Sequence, residues 1–240
     1  MTTLPSAYQF LTAPKPSDVS ARREGLDLGP IEPSRAARSA VKRAMDVAGA
    51  LGGLIFLAPV LALVALIIRL DSRGPILFRQ PRIGLGGRVF LCLKFRTMVP
   101  DAEDRIRDLE ARNESTCGIL FKIKDDPRVT PLGRFLRRTS LDELPQLWNV
   151  LAGEMSLVGP RPLQLRDSEK LANLNLDGYV RRLSVPPGVS GPWQVSGRSD
   201  LDSHRMLGLD LDYVENWSIA TDLQILARTI VVVLAGRGAC

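Results

Sequence analysis

The sequence predicts an α+β, monotopic membrane protein: a proline-broken re-entrant helix, then a cytoplasmic helical domain containing a small β-hairpin. Three observations predict it. The run "VAGALGGLIFLAPVLALVALII" (47–68) carries no charge and has Pro59 near its middle. Basic residues load both flanks of that run. Beyond it, "PILFRQPRIGLGGRVFLCLKFRTM" reads as two strands around a glycine turn, and most later patterns are helical.

The apolar run is long enough to cross a bilayer, for which about 20 such residues suffice as a helix. Proline removes a helix hydrogen bond, so a kink or break is expected at Pro59. Arg35, Arg38, Lys42 and Arg43 precede the run; Arg69, Arg73, Arg79, Arg82 and Arg88 follow it. Positive residues mark the cytoplasmic side, and equal loading places both ends there. A broken helix that dips into one leaflet and returns satisfies proline and charges together.

The remaining organisation follows from composition. Residues 1–36 are rich in Pro, Ser, Ala and charge, and read as a flexible tail ahead of one domain over 37–240. Within that domain the membrane element covers about 44–70, and the cytoplasmic part about 71–240. "DAEDRIRDLEARN" (101–113) reads as a short charged helix, and "DDPRVTPLGRFLRR" as a turn entering a basic helix. The stretch "PPGVSGPWQVSGRS" (186–199) is too rich in Pro and Gly for regular structure; it carries Trp193 and Gln194, a stacking and hydrogen-bonding pair. "LDYVENWSIATDLQILARTIVVVLAG" closes as two helical segments, its apolar end suited to the core or to a membrane surface.

Composition narrows the chemistry. There is one histidine, His204, so Ser-His-Asp and Cys-His catalysis would both hang on a single residue. Three cysteines, at 92, 117 and 240, lack metal-type spacing and fit a reducing compartment. An acid, base or nucleophile is therefore sought among carboxylates. Net charge is +6, and 26 of the 32 basic residues are arginine. That bias fits a GC-rich genome as well as an appetite for phosphate, which guanidinium grips bidentately.

One stretch concentrates the chemistry: "RRTSLDELPQLWN" (137–149). Ser140-x-x-Glu143 matches a capping box, but Pro145 would then fall inside the helix. If Asp142 caps instead, Pro145 lies in the first turn, where its missing N–H is harmless. A helix start beside Arg137 and Arg138 is a phosphate-binding arrangement. Asp142 and Glu143 look misplaced there unless they bind a metal or react. A carboxylate can attack phosphorus, and attack on an anionic phosphoryl group needs neutralisation by Mg²⁺ and arginine. "GPRP" (159–162) adds Arg161, held between Pro160 and Pro162.

Three stretches then carry a resemblance: "KFRTM" (94–98), "DPRVTPLGRFLRRTSLDELPQLWNVLAGEMSLVGPRP" (126–162) and "PGVSGPWQVSGR" (187–198). Together they resemble the bacterial sugar transferase family, monotopic phosphoglycosyl transferases acting on polyprenyl phosphate, over roughly residues 40–240. The likeness is to members that initiate exopolysaccharide as undecaprenyl-phosphate hexose phosphotransferases. It implies that Asp142 attacks the β-phosphate of a UDP-sugar, releasing UMP, and that undecaprenyl phosphate then takes the phosphosugar. It implies Glu143, with Asp142, as ligands of a Mg²⁺ cofactor, and Pro59 as the helix break. Arg137 and Arg161 match phosphate-contacting arginines; Lys94, Arg96, Arg128, Arg138, Gln194 and Arg198 are placed near the substrates. The implied setting is the cytoplasmic face of a bacterial inner membrane, with no nucleic-acid partner and with downstream glycosyltransferases following. The loop "SGPWQVSGR" departs from the more usual "TGWAQVNGR". A plain hexose, galactose or glucose, is expected over an acetamido sugar. The competing expectation is a membrane-anchored basic module that binds polyanions without catalysis; it gives Asp142 and Glu143 no role.

Overall fold

A computed structural model describes residues 30–102, 104–109, 113–114, 119–121, 123–197 and 202–234. Residues 1–29 of the expected 1–36 tail, and Arg198, lie outside them. The elements run α1 (Arg35–Arg38), α2 (Ala40–Asp71), β1 (Leu77–Ile83), β2 (Val89–Phe95), α3 (Ile106–Leu109) and α4 (Pro131–Arg138). There follow α5 (Gln146–Ala152), β3 (Ser156–Val158), α6 (Leu165–Leu174), α7 (Leu176–Arg182) and β4 (Gly188–Ser190). The chain continues through α8 (Pro192–Val195), α9 (Ser203–Glu215) and α10 (Ile219–Leu234). The architecture is helices around two small sheets, with one long apolar helix.

That helix is α2. Ser39 caps it, its side chain accepting from the Lys42 N–H. Thirty-two residues at helical rise make it about 48 Å long if straight. Buried positions fall at Lys42, Asp46 and Ala50, then at Val64 and Ile68. The four-residue spacing puts each set on one stripe. Between the two sets Ile55 and Phe56 are exposed, Phe56 by 83%. The expected break at Pro59 is not a non-helical interruption: helical conformation continues through it. Proline forfeits only the bond to the carbonyl four residues back, and packing holds each limb on its own. The earlier limb packs with Phe90, Cys92, Leu147, Val150 and Met155, the later one with Phe95 and Leu136.

The hairpin β1–β2 forms as the alternation predicts, antiparallel with Leu77 opposite Phe95 and Ile83 opposite Val89. Its turn uses Gly86 and Gly87 at positive φ. Pro81 is tolerated because β1 belongs to a two-stranded sheet, and its other edge is joined only beyond Pro81, by an isolated bridge of Arg82 with Gln164. The second sheet corrects the expectation of irregular structure over 186–199. Here β4 pairs in parallel with β3, Ser156 opposite Gly188 and Val158 opposite Ser190, and α8 follows at once. Glycine makes the pairing possible: a Cβ at Gly188 would lie 2.1 Å from the Gly159 nitrogen. The expected charged helix over 101–113 is described as helix only at α3.

The main core joins Leu163, Leu171, Tyr179, Trp193 and Met206 from α6 to α9. The closing segments are two helices, as expected, and α10 buries Ile225 while exposing Ile230 and Val231. The residues just before the domain already pack on it: Ala36 is buried, and the Ser34 N–H donates to the Ser184 carbonyl.

Candidate active site

The motif "RRTSLDELPQLWN" folds as a helix end, a tight turn and a helix start. Thr130 caps α4, its hydroxyl accepting from the Gly133 N–H, and Pro131 takes the first position. Gly133 is required by close approach to Thr97, two residues past the end of β2, whose carbonyl oxygen would lie 2.0 Å from an added Cβ. Arg137 and Arg138 therefore sit in the last turn of α4, where the helix dipole favours cations. The basic helix expected to end here forms, and the helix start expected beside these arginines comes only at Gln146. Ser140 then reverses the chain at φ 56°, the one non-glycine residue at positive φ among those described. Its side chain caps nothing, so the capping box does not form. Leu141–Glu143 make a 3-10 turn, and α5 starts only at Gln146, with Pro145 as its cap residue.

This turn points Asp142 and Glu143 into different surroundings. Glu143 is neutralised twice: Lys94 Nζ and Arg161 Nη2 each lie 2.7 Å from Oε1. Burial alone would raise its pKa, but Arg161 and Lys94 hold the carboxyl well below the usual range. The Glu143 carboxylate in turn raises the Arg161 pKa. Asp142 is 7% exposed, and its carboxylate accepts no hydrogen bond from the described residues. Burial pushes its pKa up to about 6; Lys94 opposes that rise, Glu143 adds to it, and Arg137 and Arg161 oppose it. Arg137 faces Asp142 electrostatically, and its Nε donates to the Thr97 hydroxyl at 3.0 Å. Burial lowers the Arg137 pKa despite that carboxylate. A cleft of about 400 Å³ opens on the far side of Arg137, lined also by Lys124, Asp126, Arg134, Phe135 and Arg138.

Three anchors hold the turn against the sheet and the long apolar helix α2. Asn149 bonds the edge of β2 from both ends of its amide: Nδ2 donates to the Leu91 carbonyl at 2.8 Å and Oδ1 accepts from the Leu93 N–H at 3.0 Å. Arg43, at the start of α2, donates to the Val150 and Leu151 carbonyls that end α5. The Gly159–Pro162 strap is fixed by Gly188 N–H to the Pro160 carbonyl and by Arg82 to the Pro162 carbonyl, and Arg182 reaches the Arg161 carbonyl. Such fixed cations and an uncommitted carboxylate form a ready receptor for an anionic phosphoryl group.

The sequence profile of the family described as Bacterial sugar transferase matches residues 37–236. The chain belongs to that family. The chain is 45% identical over 199 residues to "Galactosyl transferase CpsE" of Streptococcus agalactiae, an alignment covering 82% of this chain and 43% of that protein. It is 47% identical over 196 residues to "Undecaprenyl-phosphate glucose phosphotransferase" of Komagataeibacter xylinus, covering 79% of this chain and 35% of the relative. It is also 40% identical over 200 residues to "Exopolysaccharide production protein ExoY" of Sinorhizobium fredii, covering 82% and 87%. The chain thus spans less than half the length of the first two of these relatives.

Within this bacterial sugar transferase, the structure sorts the expected site residues. Asp142, Glu143, Lys94, Arg137 and Arg161 come together. Arg128 does not join them freely: it is paired with Asp126 through Nε and Nη2, is 4% exposed, and donates to the Ala102 carbonyl. Arg96 binds the Ser72 carbonyl and hydroxyl at 2.8 Å, closing the C-terminal end of α2. Arg138 is exposed at the cleft. Pro160 and Pro162 are buried and offer carbonyls to the strap's own bonds. Of the expected stacking and hydrogen-bonding pair, Trp193 lies in the core, and Gln194 Nε2 donates to the Val189 carbonyl.

Sequence reasoning missed Thr97, Asn149 and Arg82. "KFRTM" and "LPQLWN" contained the first two, but a polar side chain's partner is not written in its own motif. For Mg²⁺, Asp142 and Glu143 match the metal's preference for one or two carboxylates with phosphate oxygens. Among the described residues no group of three or more His, Cys, Asp or Glu side chains converges, so the donor set fits only as a site shared with a phosphorylated substrate.

Proposed function

We propose that this protein transfers hexose 1-phosphate from a UDP-sugar to undecaprenyl phosphate through a phosphosugar-aspartate on Asp142. The observation that carries the proposal is the asymmetry of the acidic pair. Glu143 is held by two cations, whereas the buried Asp142 carboxylate is uncommitted beside Arg137. At neutral pH a group with a pKa near 6 is mostly ionised, hence nucleophilic.

An Asp142 Oδ attacks the β-phosphorus, and the bond from that phosphorus to the bridging oxygen breaks, releasing UMP. An oxygen of undecaprenyl phosphate then attacks the same phosphorus, and the carboxylate leaves with its electron pair. Arg137, Arg161 and Lys94 offset the charge that develops on the phosphoryl oxygens. Asp142 and Glu143 would hold Mg²⁺, which would supply further neutralisation of the phosphoryl charge. Glu143 holds Lys94 and Arg161 in register for this.

Ties at both ends of α2 support the membrane placement proposed for it. Lys42 and Arg43 anchor its start to Asp222, Val150 and Leu151, and Arg96 anchors its end. A helix crossing about 30 Å of hydrocarbon could not keep both ends on one domain. The helix therefore enters and leaves by the same face, bending at Pro59 while staying helical, and the domain lies on the cytoplasmic side of the inner membrane. Relatives named for galactose and glucose transfer favour a plain hexose donor, at the first membrane step of a surface polysaccharide.

The test is product identity and trapping. Incubation with a panel of UDP-sugars and undecaprenyl phosphate should release UMP, not UDP. Without the lipid, intact-protein mass spectrometry should find a hexose phosphate on Asp142, absent from Asp142→Asn. Full transfer by that variant would refute the nucleophile assignment.

A further inference from the structure

We propose that the exposed aromatic and basic residues bordering the catalytic turn, Trp148 and Phe135 with Arg134 and Arg138, enter the head-group layer of an anionic phospholipid membrane. They thereby hold Asp142 at the height of the acceptor's phosphate. The inference rests on the reading of α2 as a membrane helix.

Helix α5 buries Gln146, Leu147, Asn149 and Val150 and turns Trp148 outward, where it is 61% exposed. Its neighbour Leu147 lies directly against α2, its Cδ1 3.1 Å from where a Cβ on Gly53 would sit. Gly53 is six residues into the uncharged run, about 9 Å beyond Val47 along a helix. Helix α5 is thus level with the outer part of the apolar run, not below it. On adjoining turns of α2, Leu51 and Ile55 are exposed, so the apolar surface continues past the indole.

The other border of the turn is α4, which exposes Arg134, Phe135 and Arg138 on one face. Leu141 packs with Val64 and Ile68 of the later limb of α2. The segment from Leu141 to Leu147 therefore crosses from one limb to the other, with Asp142 between them. Indole rings favour the membrane–water interface, where the ring is apolar and the N–H stays wet. Arginines beside them complement acidic head groups. Exposed aromatic side chains on both sides of a buried nucleophile, with guanidiniums on one of them, fit a lipid surface and its phosphates.

Full-length protein is mixed with phosphatidylcholine–phosphatidylglycerol vesicles whose acyl chains carry bromine at a shallow position. Trp193 and Trp217 are buried, so surface quenching reports Trp148. Wild-type fluorescence should be quenched, and most of that quenching should vanish in Trp148→Phe. In Trp148→Glu, KM for the lipid acceptor should rise several-fold while KM for the UDP-sugar barely moves. If the protein floats with the vesicles but wild type and Trp148→Phe quench alike, this inference fails and the membrane reading of α2 stands. If Trp148→Cys cross-links to a second copy on vesicles and bromine does not quench, the face is a protein interface and the inference is overturned. Failure to float at all would overturn both.

Discussion

Lys94 Nζ lies 2.7 Å from Glu143 Oε1, although 49 residues separate them in the chain. The contact joins the hairpin to the Leu141–Glu143 turn and leaves Asp142 as the carboxylate that accepts no hydrogen bond among the described residues. One acid is committed to holding cations, and the proposed mechanism gives the chemistry to the other.

The pair predicts opposite pH shifts. Lys94 is the largest charge lowering the Asp142 pKa, and Glu143 raises it. If the Asp142 anion is the active form, Lys94→Met moves the acid limb of kcat/KM to higher pH. Glu143→Gln moves it to lower pH, both relative to a wild-type limb at about 6. A pH–rate series on the two variants checks this; shifts in the same direction would contradict the assignment.

Asn149→Leu leaves the Leu91 carbonyl and Leu93 N–H without their side-chain partner in a buried site. Each such group costs roughly 1–3 kcal/mol. The thermal midpoint in detergent should fall, and transfer activity should fall further than the remaining folded fraction explains. Asn149→Asp, which keeps the acceptor but loses the donor, should be intermediate in activity.

At the root of α2, Lys42 Nζ lies 2.6 Å from Asp222 Oδ2, with side chains 4% and 2% exposed. Tyr213 and Trp217 donate to the same carboxylate. Lys42→Met strands a buried anion, at a cost of about 3–5 kcal/mol. Adding Asp222→Asn should recover part of that loss, measured as a non-additive double-mutant cycle in thermal unfolding.

Topology has its own test. In a background without native cysteines, Ala44→Cys and Arg73→Cys should both be labelled by a membrane-impermeant thiol reagent in inside-out vesicles and protected in intact cells. Labelling from opposite sides would refute the same-face model of α2.

Much was legible in the chain itself. The apolar run, its charged flanks, the glycine-turned hairpin and the two closing helices follow from period and composition, which are local properties. The cluster of Arg137, Asp142, Glu143 and Arg161 was legible as well, because its members lie close in sequence within a long motif. Local pattern also explains the misreadings. "SLDE" imitates a capping box, yet Ser140 stands at positive φ and its side chain caps nothing. "PPGVSG" looks irregular, yet its glycines allow β4 to lie against Gly159.

The sequence by itself determined the long apolar helix, the mixed class of helices with a small hairpin, and the acidic pair. Tertiary structure decided the role of each charge. Arg96 and Arg128 resemble Lys94 and Arg161 as letters, but the first closes a helix end and the second is spent on Asp126. The physical reason is that a guanidinium or carboxylate takes its function from the partner within about 3 Å and from the water excluded around it. Both are set by which distant segments fold together.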